Sequence, residues 1–243
     1  MGKKRSKSRD FAGGEDRTAR IEIQFEPLTP MQTVLQDAIL GETPVIIAHG
    51  GAGTGKTFTV CSLALDMLFK KKYRKIVVCR PVVESESRAI GFLAGSLERK
   101  LSPFTRSITD VLETYASREQ IRKLMNDGAI EVVHFGHLRG RSFNNTIIVL
   151  DEAQNTSKMQ MQLLLNRIGE GTKVVVVGDP LQCDRSPNEQ LNGLSDLIQR
   201  VGADDKFFKL VHLPQTSGGI VRHNILERVR EMYEEGGDYP RSV

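Results

Sequence analysis

The sequence predicts an α/β fold with three layers around a mostly parallel central sheet, and two observations carry that expectation. Short, continuous β-branched runs recur along the chain: PVIIAH at 44–49, KIVVCR at 75–80, TIIVLDE at 146–152 and TKVVVVGD at 172–179. Strands that are apolar on both faces belong to parallel sheets covered on each side. Helix-length segments fall between these runs, so the connections read as right-handed βαβ crossovers.

Taken in order, residues 1–19 hold Lys3, Lys4, Arg5, Lys7 and Arg9 among small polar residues. That composition cannot bury enough apolar surface to fold, so a disordered basic tail is expected there. Residues 20–26 alternate apolar and polar side chains as a half-buried strand does, and Pro27 ends the pattern. Thr29 then caps, and Pro30 opens, a helix running to about Leu40 with Gly41 as its stop. Further helices are expected over 56–72, in two or more pieces between 105 and 126, and over 157–167. Residues 81–102 mix glycine, proline and charge and read as an ordered surface excursion. FFKLVHL at 207–213 is the last core strand, and a helix from about 222 to 235 closes the fold before Gly236 and Gly237. Neither an internal repeat nor a Pro/Ser-rich linker interrupts 20–243, which is therefore expected to be a single domain.

Bulk composition agrees. A chain of 243 residues, 39% hydrophobic, can bury one sizeable core. No run approaches the roughly 18 apolar residues of a membrane helix, and the basic N-terminus lacks the apolar stretch of a signal peptide. A soluble, cytoplasmic protein with no membrane partner is expected. The three cysteines, Cys61, Cys79 and Cys183, are scattered, which suggests reduced, buried thiols and neither a disulfide nor a zinc framework. The net charge of +4 favours an anionic partner without identifying one.

The chemistry starts at Gly50, Gly51, Ala52, Gly53, Thr54, Gly55, Lys56 and Thr57, a GxxxxGKT segment placed between a strand and a helix. Glycines there let backbone N–H groups turn inward on a β-phosphate at the positive end of the helix dipole. Lys56 can reach the β- and γ-oxygens, and the Thr57 hydroxyl can ligate Mg²⁺. Asp151 and Glu152 stand at the carboxyl end of TIIVLDE, where open α/β sheets bind ligands. Asp151 suits a direct or outer-sphere Mg²⁺ contact, and Glu152 is placed to take a proton from an attacking water. VVVVGDPLQ ends another strand with Gly178, Asp179 and Gln182. A neutral amide such as Gln182 can bond both a γ-phosphate oxygen and the lytic water, and so distinguish ATP from ADP.

With these motifs in this order, the chain resembles the PhoH family, whose motifs are similar to those of superfamily 1 nucleic-acid helicases. The matching text is GGAGTGKT, RPVVES with GFLAGSLERK, HLRGRSFNNTIIVLDEAQN, VVVVGDPLQCD and IVRHNILERV. The resemblance implies a RecA-like P-loop core, ATP and Mg²⁺ as cofactors, ATP hydrolysis, a homo-oligomeric ring, hexameric in the family, and association with single-stranded nucleic acid, RNA before DNA. Carried over by position, Gln32 becomes the reader of the adenine edge and Gln154 a link between nucleotide and nucleic-acid sites. Arg222, in the VRH segment, becomes the first choice for an arginine finger, with Arg80, Arg139 and Arg141 as rivals. A helicase closes ATP between two such domains, and this chain has room for one. The second wall, and the finger with it, are therefore expected from a neighbouring subunit.

Other P-loop classes fit less well. The chain lacks an NKxD-like guanine reader after the P-loop, and its only LSGGQ-like text, TSGG at 216–219, follows the second acidic motif where a transporter ATPase carries it before. A small-molecule kinase, having no water to activate, normally lacks the acidic pair and the GDxxQ element. Two readings stay open: an ATP-driven motor on single-stranded nucleic acid, and an ATP-switched regulatory or RNA-binding module without translocation. Arg88, Arg99, Lys100, Arg106, Arg139 and Arg141 favour the first, while 6% aromatic residues leave few stacking platforms and favour the second.

Overall fold

The computed structural model describes residues 23–81, 109–183, 192–215, 219, 221 and 225. In chain order the strands are β1 Val45–Gly50, β2 Lys75–Cys79, β3 Ile130–Val133, β4 Thr146–Leu150, β5 Lys173–Gly178 and β6 Phe208–Leu213. They form one six-stranded sheet in the order β3-β2-β4-β5-β1-β6, and every neighbouring pair is parallel. The α/β, three-layer RecA-like expectation is met, with a sheet wholly parallel among the described residues.

Helices α1 Pro30–Leu40, α2 Lys56–Phe69 and α3 Arg118–Asn126 cover one face, and α4 Lys158–Leu165 and α5 Gly193–Arg200 cover the other. Alternation along the strands produces the two cores. Ile46, Ala48, Ile147 and Val175 point toward Leu35, Ile39, Val60 and Leu65, whereas Ile47, Val77, Leu150 and Val176 point toward Met161, Leu164 and Leu194. Truncating any of the large fully buried side chains to alanine costs about 2–5 kcal/mol. Helix starts follow the cap chemistry read from the sequence. The Thr29 hydroxyl accepts from Gln32 N–H, and Ser157 with Gln160 forms a reciprocal capping box at α4.

Three differences from the sequence reading are informative. Ile23–Glu26 is in no strand: Ile23 is buried and Phe25 half-buried in the core that α1 and α2 cover, so the segment packs on that core and joins no ladder. Strand β3 and helix α5 were not foreseen. The IEVV run of β3 is short and carries a charge, and α5 opens on Gly193, normally a breaker, capped by the Asn192 side chain. Cys61 and Cys79 are buried free thiols, but Cys183 is only half-buried. The basic tail, the excursion after Pro81 and the closing helix lie outside the described residues, apart from Ile225, which is helical.

Candidate active site

Strands β4, β5 and β1 are consecutive in the sheet and parallel, so their carboxyl ends meet on one edge. The three motifs read from the sequence sit at those ends, at the place where open parallel sheets bind ligands.

The cradle leaves β1 at Gly50, whose φ is +140° and whose missing Cβ would overlap the Leu213 carbonyl of β6. It enters α2 at Gly55, with φ +79°, where a Cβ would come 2.5 Å from Gln32 Nε2. At both positions only glycine meets the dihedral and the space together. Lys56 Nζ donates to the Gly50 and Gly51 carbonyls, both at 2.7 Å, and to Thr54 Oγ1 at 3.3 Å. Burial depresses its pKa, and Asp179, Glu152 and Asp151 oppose that shift, so the ammonium is a desolvated charge facing three carboxylates.

Thr57 Oγ1 donates to Asp151 Oδ1 at 2.9 Å. Asp151 is 4% exposed, and burial, then the Glu152 charge, push its pKa up. A hydroxyl beside a buried carboxylate is an oxygen-only donor set of the kind Mg²⁺ takes, so the residues fit the expected ion and nucleotide phosphates together. Glu152 adopts a left-handed backbone, φ +52° and ψ +42°, which turns its side chain out of the strand direction toward the cavity. One carboxylate oxygen accepts from Gln154 Nε2 at 2.6 Å, and the other lies 4.0 Å from Arg80 Nη2. Gln154 is buried and also accepts from Asp179 N–H at 3.1 Å, so one amide ties the end of β4 to the end of β5. That tie was not evident in the DEAQ text, which says nothing of what β5 presents.

Lys56, Thr57, Arg80, Asp151, Glu152 and Gln182 line a single cavity of about 1000 Å³, together with Ala52, Gly53 and Gly55. Gln32 reaches the same cavity, but as a buried residue with both ends of its amide on backbone: Oε1 accepts from Leu28 N–H at 2.7 Å and Nε2 donates to the Thr54 carbonyl at 3.0 Å. The cradle is pinned from a second side, where Val221 N–H donates to the Gly53 carbonyl at 2.9 Å. Sequence reading missed Val221 and the apolar end of the cavity at Phe25, Phe58 and Tyr115. Phe58, directly after GxxxxGKT, was the available signal.

The arginines separate. Arg80 is in the cavity. Arg141 is committed to Glu131 through two 2.8 Å bonds, and its guanidinium lies over the Phe143 ring. Arg139 is exposed, while Arg88, Arg99, Lys100, Arg106 and Arg222 lie outside the described residues.

Residues 24–234 match the family model described as PhoH, PhoH-like protein. A PhoH-like protein of Synechocystis is 38% identical over 190 residues, which are 78% of this chain and 56% of that protein. A PhoH-like protein of Mycobacterium leprae is 38% identical over 212 residues, 86% of this chain and 58% of that one. Protein PhoH of Escherichia coli K12 is 39% identical over 163 residues, covering 66% and 46% respectively. The chain thus spans about half the length of the curated relatives it matches. Among solved structures, Pif1 helicase from Candida albicans aligns with 86% of this chain and 44% of its own at 16% identity and a TM-score of 0.43. With its P-loop, DEAQ and GDPLQ segments at the ends of three adjacent strands and a family match over almost all of its described length, the chain belongs to the PhoH family.

Proposed function

We propose that the chain is an ATP-hydrolysing P-loop phosphohydrolase of the PhoH family, linked to single-stranded nucleic acid, RNA before DNA, and working in a homo-oligomeric ring. The observation that carries the hydrolytic reading is the convergence of Lys56, Thr57, Asp151, Glu152 and Gln182 on one cavity. In this reading the cradle amides and Lys56 hold the β- and γ-phosphates, while Thr57 and Asp151 hold Mg²⁺. An Mg²⁺ held there would supply positive charge to those phosphates. Glu152 takes the proton of the attacking water, and Gln182 orients that water against the γ-phosphate. Arg222 or Arg80 adds the further cation that the charge on the transferred group requires. A cytoplasmic site suits such a nucleotide- and RNA-linked enzyme, and among the described residues no helix is long and apolar enough to cross a membrane.

The hydrogen bonds from Gln154 to Glu152 and from Asp179 N–H to Gln154 support a second reading, the ATP-switched module without translocation, because they join the proposed base to the end of β5 and so tie nucleotide state to backbone position. Turnover of ATP by the full chain, with and without single-stranded RNA and DNA at two salt concentrations, separates the two. The motor reading expects strong, salt-sensitive stimulation by one polymer. Slow turnover indifferent to both supports the switch, and no turnover at all sinks the hydrolytic reading.

A further inference from the structure

Beyond the phosphate cradle the cavity continues to an apolar end made of three rings. Phe25 comes from the segment before α1, Phe58 from the first turn of α2, and Tyr115 from the turn before α3. Phe58 is the middle ring, its centroid 6.3 Å from that of Phe25 and 6.0 Å from that of Tyr115. It follows Thr57 directly in the first turn of α2 and lines the same cavity. Phe25 and Tyr115 pack partly into the core, but Phe58 keeps 38% of its surface exposed. Gln32, the residue the family resemblance would make the base reader, is 2% exposed and binds Leu28 and Thr54 of its own chain. The polar side chains at this end, Gln24 and Glu26, are exposed to solvent.

We infer that the nucleoside of the substrate lies against Phe58 between Phe25 and Tyr115, that Gln32 is a positioning residue pinning Leu28 to the cradle, and that the site accepts nucleoside triphosphates with little regard to the base. This rests on the phosphohydrolase reading above. Every base has a π-face, so stacking is tolerant. A site that hydrogen-bonds a substrate edge rejects the wrong edge strongly, whereas an apolar wall discriminates weakly. The three rings form such a wall, and one N–H and the oxygen of the Gln32 amide are engaged in holding the backbone.

The test measures steady-state hydrolysis of ATP, GTP and CTP by the full chain, with inorganic tripolyphosphate as a competitive inhibitor that reports the cradle without a base. Parent enzyme is expected to use ATP and GTP with kcat/KM values within about tenfold of each other. Phe58→Ala raises KM about tenfold for all three nucleotides, leaving kcat and tripolyphosphate inhibition at the parental values, and Phe58→Trp recovers the loss. Gln32→Ala weakens nucleotides and tripolyphosphate by the same factor, leaving the ATP-to-GTP ratio unchanged. A changed ratio in Gln32→Ala makes Gln32 a base reader and overturns the inference, as does a Phe58→Ala enzyme with parental KM values. Loss of tripolyphosphate inhibition in Phe58→Ala likewise overturns it, since the ring would then support the cradle. A parent that hydrolyses none of the nucleotides brings down the phosphohydrolase reading and this inference together. The other outcomes leave that reading standing.

Discussion

Thr57 Oγ1 donates a 2.9 Å hydrogen bond to Asp151 Oδ1, joining the first turn of α2 to the end of β4 across 94 residues of sequence. The pair puts a hydroxyl and a buried carboxylate at one point of the cavity, so the two should act as a unit toward Mg²⁺. Thr57→Val keeps shape and removes the hydroxyl, while Asp151→Asn keeps shape and removes the charge. Each is expected to move the Mg²⁺ midpoint of ATP turnover upward, and the double variant should cost little more than the worse single one, because residues that act together are not additive. Fully additive losses in the Mg²⁺ titration would show that the two serve separate purposes.

Lys56→Ala removes the only ammonium that the cradle holds among the described residues, and with it the bonds to the Gly50 and Gly51 carbonyls and Thr54 Oγ1, although the Gly51 carbonyl keeps the Thr54 hydroxyl as a donor. ATP hydrolysis is expected to vanish and nucleotide binding to weaken strongly, read by turnover and by equilibrium binding of a fluorescent ATP analogue. Near-parental turnover in a folded Lys56→Ala protein would remove the P-loop assignment.

Glu152→Gln should behave differently. Shape and the contact to Gln154 can persist, but the amide cannot accept the proton of the lytic water, so ATP binds at near-parental affinity and turnover falls by about 100-fold or more. Parental turnover in this variant would place the base elsewhere, with Asp179 an alternative in the same cavity.

The chemistry that was legible in the sequence is what short motifs encode: which residues lie on the cradle, and which carboxylates end the strands. GxxxxGKT and TIIVLDE each carry their own backbone geometry, so Lys56, Thr57 and Asp151 could be assigned before their contacts were known. Relationships between distant segments were not legible. Gln32 reads as an exposed or base-facing helix residue, but its burial depends on how α1 lies against Thr54, which no local pattern states. Phe25 was visible as an apolar position in an alternating stretch that read as a strand, and the structure has no strand over 23–26. What the period could not say is that these apolar residues pack into the core that α1 and α2 cover. Gly193 opening a helix is a similar case, since the Asn192 cap outweighs the weak helix propensity of glycine there.

At the far side of the sheet, Glu131 on β3 takes two hydrogen bonds from Arg141 and an ion pair from Lys75 at 2.6 Å. The Arg141 bonds, ahead of the Lys75 contribution and against burial, hold its carboxyl down at about 2, from an ordinary value of 4.5. A folded pKa below the unfolded one means that the stabilisation is present in full above about pH 4.5 and is lost as pH falls through to about 2. The group is partly solvated, so the contribution at pH 6 is expected to be only about 1 kcal/mol. Urea unfolding of parent and Glu131→Gln at pH 6 and pH 3 checks this, with the gap between them narrowing at the lower pH. A gap that stays constant would show that the difference is packing and not charge.

Arg222, the last of the assignments, lies outside the described residues. Its sequence neighbour Val221 donates its N–H to the Gly53 carbonyl at 2.9 Å and lines the cavity. The anchor at Val221 raises action within the subunit as an alternative to the action on a neighbour that the missing second domain argued from sequence. Arg222→Ala is expected to fold, bind ATP and lose turnover by about 1000-fold, the scale of a missing arginine finger. Mixing Arg222→Ala with Lys56→Ala chains then decides the geometry. Each chain lacks one part of the same site, so action within a subunit predicts no recovery even when labelled subunits demonstrably exchange. Partial recovery in mixed assemblies would show instead that the arginine crosses a subunit boundary. Parental turnover in Arg222→Ala alone would pass the role to Arg80, which lines the cavity beside Glu152.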